Sequence, residues 1–345
     1  MNSKNMLKLK SVRGLLPYGI TWYRLTCAFR FSKKVFFNLI CYSFLWFIKS
    51  LFLRSNSKEY KLGDVSIKLL PNDLGLSREL MLTGVHEPVF NFYLKHLIKE
   101  DSVIIDVGGN LGYSTILFAK YAPRGKVICL EPNPVLFKLL KRNISTNNFM
   151  HVIPLLCAAS NKSGFGLLYV NPYYPQLAHL DSGLKSDGII YKVKIISIDR
   201  LVQLFRLNKV DLIKLDVEGF EWEVLEGALN TIRAHKPNIA VEVHLINDNS
   251  IRKMISFLDW LRSQYEFCIL VLRIYDYWLA RVEDISVIMK SEELVKILND
   301  KTFQLIGNVF SLILLKDKET YNLLKSILHN YAKKMKLFRR LNYIQ

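Results

Sequence analysis

Val103-Ile104-Ile105-Asp106-Val107-Gly108-Gly109-Asn110-Leu111-Gly112-Tyr113-Ser114-Thr115 is the stretch that decides the fold. It opens as an apolar run of strand length, reaches an acid and a glycine-rich turn, and passes directly into a helical pattern. Glycines at such a turn let the backbone bend sharply and approach a ligand, and the first turn of the helix offers free N–H groups there. Open α/β sheets bind their ligands at this kind of place, beyond the carboxyl ends of the strands.

Working outward, short apolar runs alternate with helical stretches, the pattern of βα units. It predicts strands over 102–107, 126–131, 152–158, 212–217 and 239–243, with helices over 113–121, 135–143 and 222–235. Two later apolar runs, 267–273 and 309–315, complete a mostly parallel seven-stranded sheet with helices on both faces. The fold class is therefore α/β and Rossmann-like. Residues 61–318 form the main domain, between a basic and hydrophobic extension over 1–60 and a basic C-terminal helix over 319–345.

Three further motifs carry chemistry. Leu130-Glu131-Pro132-Asn133 ends the second of these strands, and a carboxylate at that place accepts hydrogen bonds from a ribose diol. The turn Gly108-Gly109-Asn110-Leu111-Gly112 lacks the G-x-G-x-x-G spacing that makes room for a pyrophosphate, which disfavours NAD. An amino-acid tail with its ammonium and carboxylate asks instead for an acid and open backbone groups, which Asp106 and the turn supply.

Asp211-Leu212-Ile213-Lys214-Leu215-Asp216-Val217-Glu218-Gly219-Phe220-Glu221 places Asp216 at the carboxyl end of the fourth strand. Glu218 points the same way if the extended conformation persists. Glu221 and Glu223 read as ordinary acids at a helix N-terminus, where its dipole favours them. Val241-Glu242-Val243-His244 closes the next strand; His244 is a candidate general base, with Glu242 as its orienting partner.

This ordered set resembles the FkbM-like family of S-adenosylmethionine-dependent methyltransferases. The likeness runs from about Gly84 to His244, through G-V-H-E-P, the turn above, L-E-P-N-P, N-I-S-T-N-N, S-I-D-R-L, the D-L-I-K-L-D-V-E-G-F-E segment and P-N-I-A-V-E-V-H. It implies a class I methyltransferase fold, S-adenosyl-L-methionine as cofactor, and O-methylation of a hydroxyl on a sugar, glycolipid or small metabolite. Asp106, Gly108, Gly109, Asn110, Gly112 and Glu131 would then contact the cofactor, with Cys157 and Ala158 near the adenine. Asp216, Glu218 and His244 would face the methyl and its acceptor, and no metal is called for. At Gly109 the family often has alanine. Asn171-Pro172-Tyr173-Tyr174 looks like the N-P-P-Y signature of enzymes that methylate exocyclic amines of bases, but it precedes the fourth strand and reads as a turn in a long acceptor-side loop, 171–191.

The net charge of +18 sits at the ends: residues 1–60 carry +10 and residues 319–345 carry +5, leaving +3 between them. Basic extensions on a near-neutral middle point to an anionic partner. The uncharged run 35–48 falls short of the ~20 residues of a membrane span. Read with its basic flanks it suits a helix lying in the plane of an anionic membrane, the alternatives being a helix packed on the domain and a true single span. Five scattered cysteines without C-x-x-C pairs argue for a reducing compartment and against a structural metal. The expected location is cytoplasmic, peripheral at the inner face of the membrane. Competing readings are an RNA methyltransferase gripping phosphates with its basic ends, an NAD-dependent oxidoreductase, and a membrane-tethered module that holds cofactor without catalysis.

Overall fold

The computed structural model describes residues 59–70, 73, 76–171, 174–180, 188–244, 260, 263–272, 285–298 and 309–335. The expectations for the hydrophobic run 35–53 and for residues 336–345 lie outside this set. Among the described residues no helix is long and apolar enough to cross a membrane.

The chain divides into two units, residues 1–86 with 274–283, and residues 87–273 with 284–345. In the first, strands β1 (Glu59–Leu62) and β2 (Val65–Lys68) form a hairpin whose turn uses Gly63 at φ +66°. Helix α1 (Leu76–Thr83) follows, and Val65, Ile67 and Leu80 are buried.

The second unit is built on an eight-stranded sheet. Its strands are β3 (Val103–Val107), β4 (Lys126–Leu130), β5 (Val152–Leu155), β10 (Leu212–Leu215), β11 (Asn238–His244), β12 (Phe267–Leu272), β13 (Ile285–Lys290) and β14 (Val309–Leu315). They lie in the order β13-β12-β14-β11-β10-β3-β4-β5. The five from β11 to β5 are parallel to their neighbours, whereas β14 runs antiparallel to β11 and β12, and β12 antiparallel to β13. One strand more is present than the sequence predicts: β13, whose apolar signal is short, caps the edge.

Alternate residues of the central strands feed two separate cores, as expected for a sheet covered on both faces. Ile105, Val107, Ile213 and Leu215 pack with helices α5 (Ile198–Leu204), α6 (Glu221–Glu226), α7 (Leu229–His235) and α8 (Ser291–Leu298). Ile104, Val127 and Ala240 pack with α2 (Pro88–Leu97), α3 (Tyr113–Tyr121), α4 (Pro134–Thr146) and α9 (Lys318–Met335). Asn133 caps α4 by accepting a hydrogen bond from the Val135 N–H, and Pro134 occupies the first helical position, where no donor is missed.

Three predicted elements come out differently. The helix over 222–235 is two, α6 and α7, broken at Gly227, where a Cβ would meet the Ser160 carbonyl oxygen at 2.2 Å. The strand over 152–158 ends at Leu155, and Ala158–Ala159 leaves to form β6 in a different sheet. That sheet, in the order β6-β9-β7-β8, also replaces the expected acceptor-side loop. β7 (Gly164–Asn171), β8 (Tyr174–Leu180) and β9 (Ile189–Ile196) are mainly antiparallel, and they bury Leu168, Val170, Leu180, Val193 and Ile195 in a core of their own. Within the expected loop 171–191, residues 172–173 and 181–187 lie outside the described residues, and the described part is mainly strand.

Candidate active site

From β3 the chain winds one way to β4 and β5, then crosses to the other side for β10 and β11, so the sheet reverses its winding between β3 and β10. Crevices form at such switch points. Here the crevice is lined on one side by Glu131, Cys157 and Ala158, on another by Leu168 and Leu180 of the small sheet, and at the strand ends by Asp216 and Glu218.

The glycine turn is positioned by backbone bonds: the N–H groups of Gly108 and Gly109 both donate to the Leu130 carbonyl oxygen, at 2.9 and 3.0 Å. Gly108, at φ +80°, lines the cavity, and a Cβ there would fall 1.9 Å from the Asp216 carbonyl oxygen. It is glycine because β3 and β10 converge at this point. Gly109 and Gly112 do not line the cavity; a Cβ on the first would strike Cys129 Sγ at 2.1 Å, and on the second Leu140 Cδ1 at 2.9 Å. Close packing against β4 accounts for Gly109, and a left-handed backbone, φ +101°, together with the α4 contact accounts for Gly112.

Glu131 is 5% exposed and doubly held, with Oε2 accepting from the Asn110 N–H at 2.7 Å and Oε1 from the Asn133 N–H at 2.8 Å. Burial pushes its carboxyl up to about 7, against the pull of those two N–H groups. Asn110 takes a left-handed conformation, φ +53°, which aims its N–H at Glu131. Burial also pushes the Cys157 thiol up to about 12, leaving it a packing group on the cavity wall.

Asp106 is fully buried beneath the turn and does not line the cavity. Thr115 Oγ1 donates to its Oδ2 at 2.6 Å, and the Lys214 ammonium lies 3.6 Å from its Oδ1. Lys214 is the group the sequence reading missed. It is 4% exposed, donates to the Gly108 carbonyl oxygen at 3.1 Å, and lies 3.4 Å from Asp216 Oδ2. Burial works against its charge, but Asp216, Asp106 and Glu242 outweigh burial and hold it protonated. Its signal was present in the sequence: a lysine inside the strand Leu212-Ile213-Lys214-Leu215, which is covered on both faces, must have partners.

Glu218 does not continue β10. With φ of +52° it forms a left-handed turn with Gly219, φ +99°, yet it still lines the cavity. Its Oε2 lies 3.4 Å from His244 Nε2. The other imidazole nitrogen, Nδ1, is 2.7 Å from Oε1 of Glu221, which also accepts from the Gly219 N–H at 3.0 Å. Glu221 is thus the orienting carboxylate of His244, in place of Glu242, and is fully buried rather than an ordinary helix-end acid. Burial pushes Glu218 up to about 7 and Glu242 up to about 8. Burial alone would lower His244, but the Glu221 hydrogen bond and the charges of Glu218 and Glu242 carry it up to about 10.

The chain therefore presents a doubly wound sheet with a crevice at its switch point, a buried carboxylate held by two backbone N–H groups on one side and a carboxylate–histidine group on the other. Residues 106–268 match the sequence profile described as the methyltransferase FkbM domain. Among curated relatives, a hexuronic acid methyltransferase, AglP, of Haloferax volcanii is 33% identical over 159 residues, covering 46% of this chain and 63% of that protein. Methyltransferase 1 of Beauveria bassiana is 26% identical over 169 residues, covering 43% of this chain and 68% of that protein. The matches thus span about two thirds of the relatives' lengths. Among solved structures, an FkbM methyltransferase from Methylobacillus flagellatus overlaps 55% of this chain and 48% of its own, with 17% identity and a TM-score of 0.35.

Proposed function

We propose that this chain is an S-adenosylmethionine-dependent methyltransferase that transfers a methyl to a hydroxyl oxygen, with a sugar acid or a related glycan as the acceptor class. The observation that carries the reading is the single cavity with Glu131 at one side and Asp216 and Glu218 at the other. Glu131 fits a ribose diol because its two oxygens are already aimed by backbone N–H groups, each retaining lone-pair capacity for a hydroxyl. Cys157, Ala158 and Leu136 supply an apolar surface suited to a purine. The 33% identity to a hexuronic acid methyltransferase supports the acceptor class.

The cofactor, when bound, supplies a methyl activated by a positive sulfur, and alignment then provides most of the rate. What remains for the protein is the proton: an alcohol is a poor nucleophile until its O–H bond begins to break. Glu218 lines the cavity and is the group placed to take that proton, while His244, held by Glu221, keeps the Glu218 carboxylate in position. The transfer would form an oxygen–methyl bond as the carbon–sulfur bond breaks, with the bonding pair left on sulfur and the hydroxyl proton on Glu218.

Isothermal titration with S-adenosylhomocysteine beside NAD tests the reading. Binding of the first and none of the second is expected. Silence for both overturns the cofactor assignment and the function with it.

A further inference from the structure

Asp216, Glu218 and His244 come from two segments, the exit of β10 and the end of β11, yet each offers one ligand atom within 4.8 Å of the others. A cation bound at ~2.0–2.2 Å to each of three ligands requires separations of roughly 3–4.4 Å between them, so closing this group onto an ion asks for side-chain adjustments on the order of an ångström. The His244 Nε2 to Glu218 Oε2 distance of 3.4 Å already lies in that range.

The histidine is also dressed as a ligand. A metal-binding imidazole commonly gives its other N–H to a carboxylate, which fixes the ring and raises its donor strength. Nδ1 of His244 faces Oε1 of the fully buried Glu221 at 2.7 Å, and the opposite nitrogen is thereby turned toward Glu218. The charge of the surroundings favours a cation: Asp216 and Glu242 act on Lys214, Glu218 and Glu221 lie against His244, and a bound ion would take the place of the His244 proton among these four carboxylates. Two of the three ligands line the cavity, which leaves coordination positions open toward an incoming molecule.

We infer that Asp216, Glu218 and His244 form a divalent-cation site at the mouth of the cavity, suited by its mixed oxygen and nitrogen donors to Mn²⁺ or a similar transition ion. Mixed imidazole and carboxylate donors favour such ions over Ca²⁺, which prefers oxygen alone. The sequence reading called for no metal because the ligands follow no recognisable motif spacing. Binding of the ion does not depend on the methyltransferase assignment, but its use in catalysis rests on that reading. There, a cation holding the acceptor hydroxyl makes its proton easier to lose. The proton then passes to the second carboxylate oxygen of Glu218, the one not on the ion.

The test is titration of the full chain with MnCl₂, followed by loss of the free-ion electron paramagnetic resonance signal. One Mn²⁺ per chain is expected, weakened at least tenfold in Asp216→Asn and in His244→Gln and unchanged in Asp101→Asn, which removes an exposed carboxylate remote from the group. CaCl₂ in tenfold excess should leave the bound Mn²⁺ in place. S-adenosylhomocysteine binding, measured on the same samples, reports whether each variant is folded and whether the cofactor reading stands by itself. No Mn²⁺ uptake at millimolar concentration by protein that binds the nucleoside overturns the site, and so does uptake undiminished in Asp216→Asn/His244→Gln; the three residues are then a closed ion-pair network.

Discussion

Gly109 and Cys129 are packed so closely that a Cβ on the glycine would lie 2.1 Å from the cysteine Sγ. Cys129 is fully buried on β4 with its Sγ 3.1 Å from Thr115 Oγ1, so it has no room to retreat. The alanine common at this position in the family is therefore excluded here by a neighbour 20 residues away in sequence. Gly109→Ala is expected to lower stability by about 1–3 kcal/mol through overpacking. Cys129→Ala should remove most of that penalty when combined with it, a coupling visible in a double-mutant cycle of urea midpoints. Strictly additive effects would show that the two side chains do not compete for the same space.

Lys214 serves the fully buried Asp106 and the carbonyl of Gly108 together. Replacing it by Met keeps the length but leaves Asp106 without a cation, and removing one partner of a buried pair typically costs about 3–5 kcal/mol. Denaturant unfolding of Lys214→Met should show a loss of that order. A loss below about 1 kcal/mol would mean that the Thr115 hydroxyl alone sustains the carboxylate.

The carboxyl of Glu131 is raised to about 7, so it is protonated below that pH and ionised above it. A ribose diol donates to the ionised form. Nucleoside affinity should consequently fall as pH drops from 8 to 6, approaching a tenfold loss per unit at the acid end, and binding at pH 7 should release about half a proton per site. Titration in buffers of different ionisation enthalpy measures that release. Glu131→Gln should bind weakly and without pH dependence, and an unchanged pH profile in this variant would displace Glu131 from the ribose role.

Glu218→Gln removes the proton acceptor while keeping the side-chain volume, and His244→Ala removes the imidazole that positions it. Each is expected to lower turnover by ~10²-fold or more while nucleoside affinity is retained. Full turnover in both variants would end the assignment.

The basic, hydrophobic segment 1–58 predicts sedimentation with anionic vesicles and not with neutral ones. A chain lacking residues 1–58 should stay in the supernatant. Equal sedimentation of the two would sink the lipid reading.

The parallel half of the sheet was legible because covered strands are continuous apolar runs, and both Val103–Val107 and Leu212–Leu215 have that form. The site was legible where residues are neighbours in the chain, as in Asp216 and Glu218. It was not legible where the partner is remote. Nothing near His244 announces that Glu221 holds it, because the hydrogen bond exists only once α6 packs beside β11. Gly109 and Gly112 were read as room for a ligand because a glycine needed for close packing and one needed for ligand approach look alike in sequence. The small sheet was hidden by the turn residues around Asn171 and by exposed apolar residues, among them Phe165 and Ile190, that blur the alternation of its strands.

The small sheet has its own hydrophobic centre, and it forms one wall of the cavity through Leu168, Ala178 and Leu180. Strands β7, β8 and β9 are inserted between β6 and α5, away from the hydrogen-bonded ladder of the main sheet. Substitutions there can reshape one side of the chamber without disturbing Glu131, Gly108 or Lys214. On the proposed reading the small sheet is an exchangeable cassette: selection on the acceptor would act on 164–171, 174–180 and 189–196, while Glu131 and the glycine turn, which would hold the nucleoside, are inherited intact.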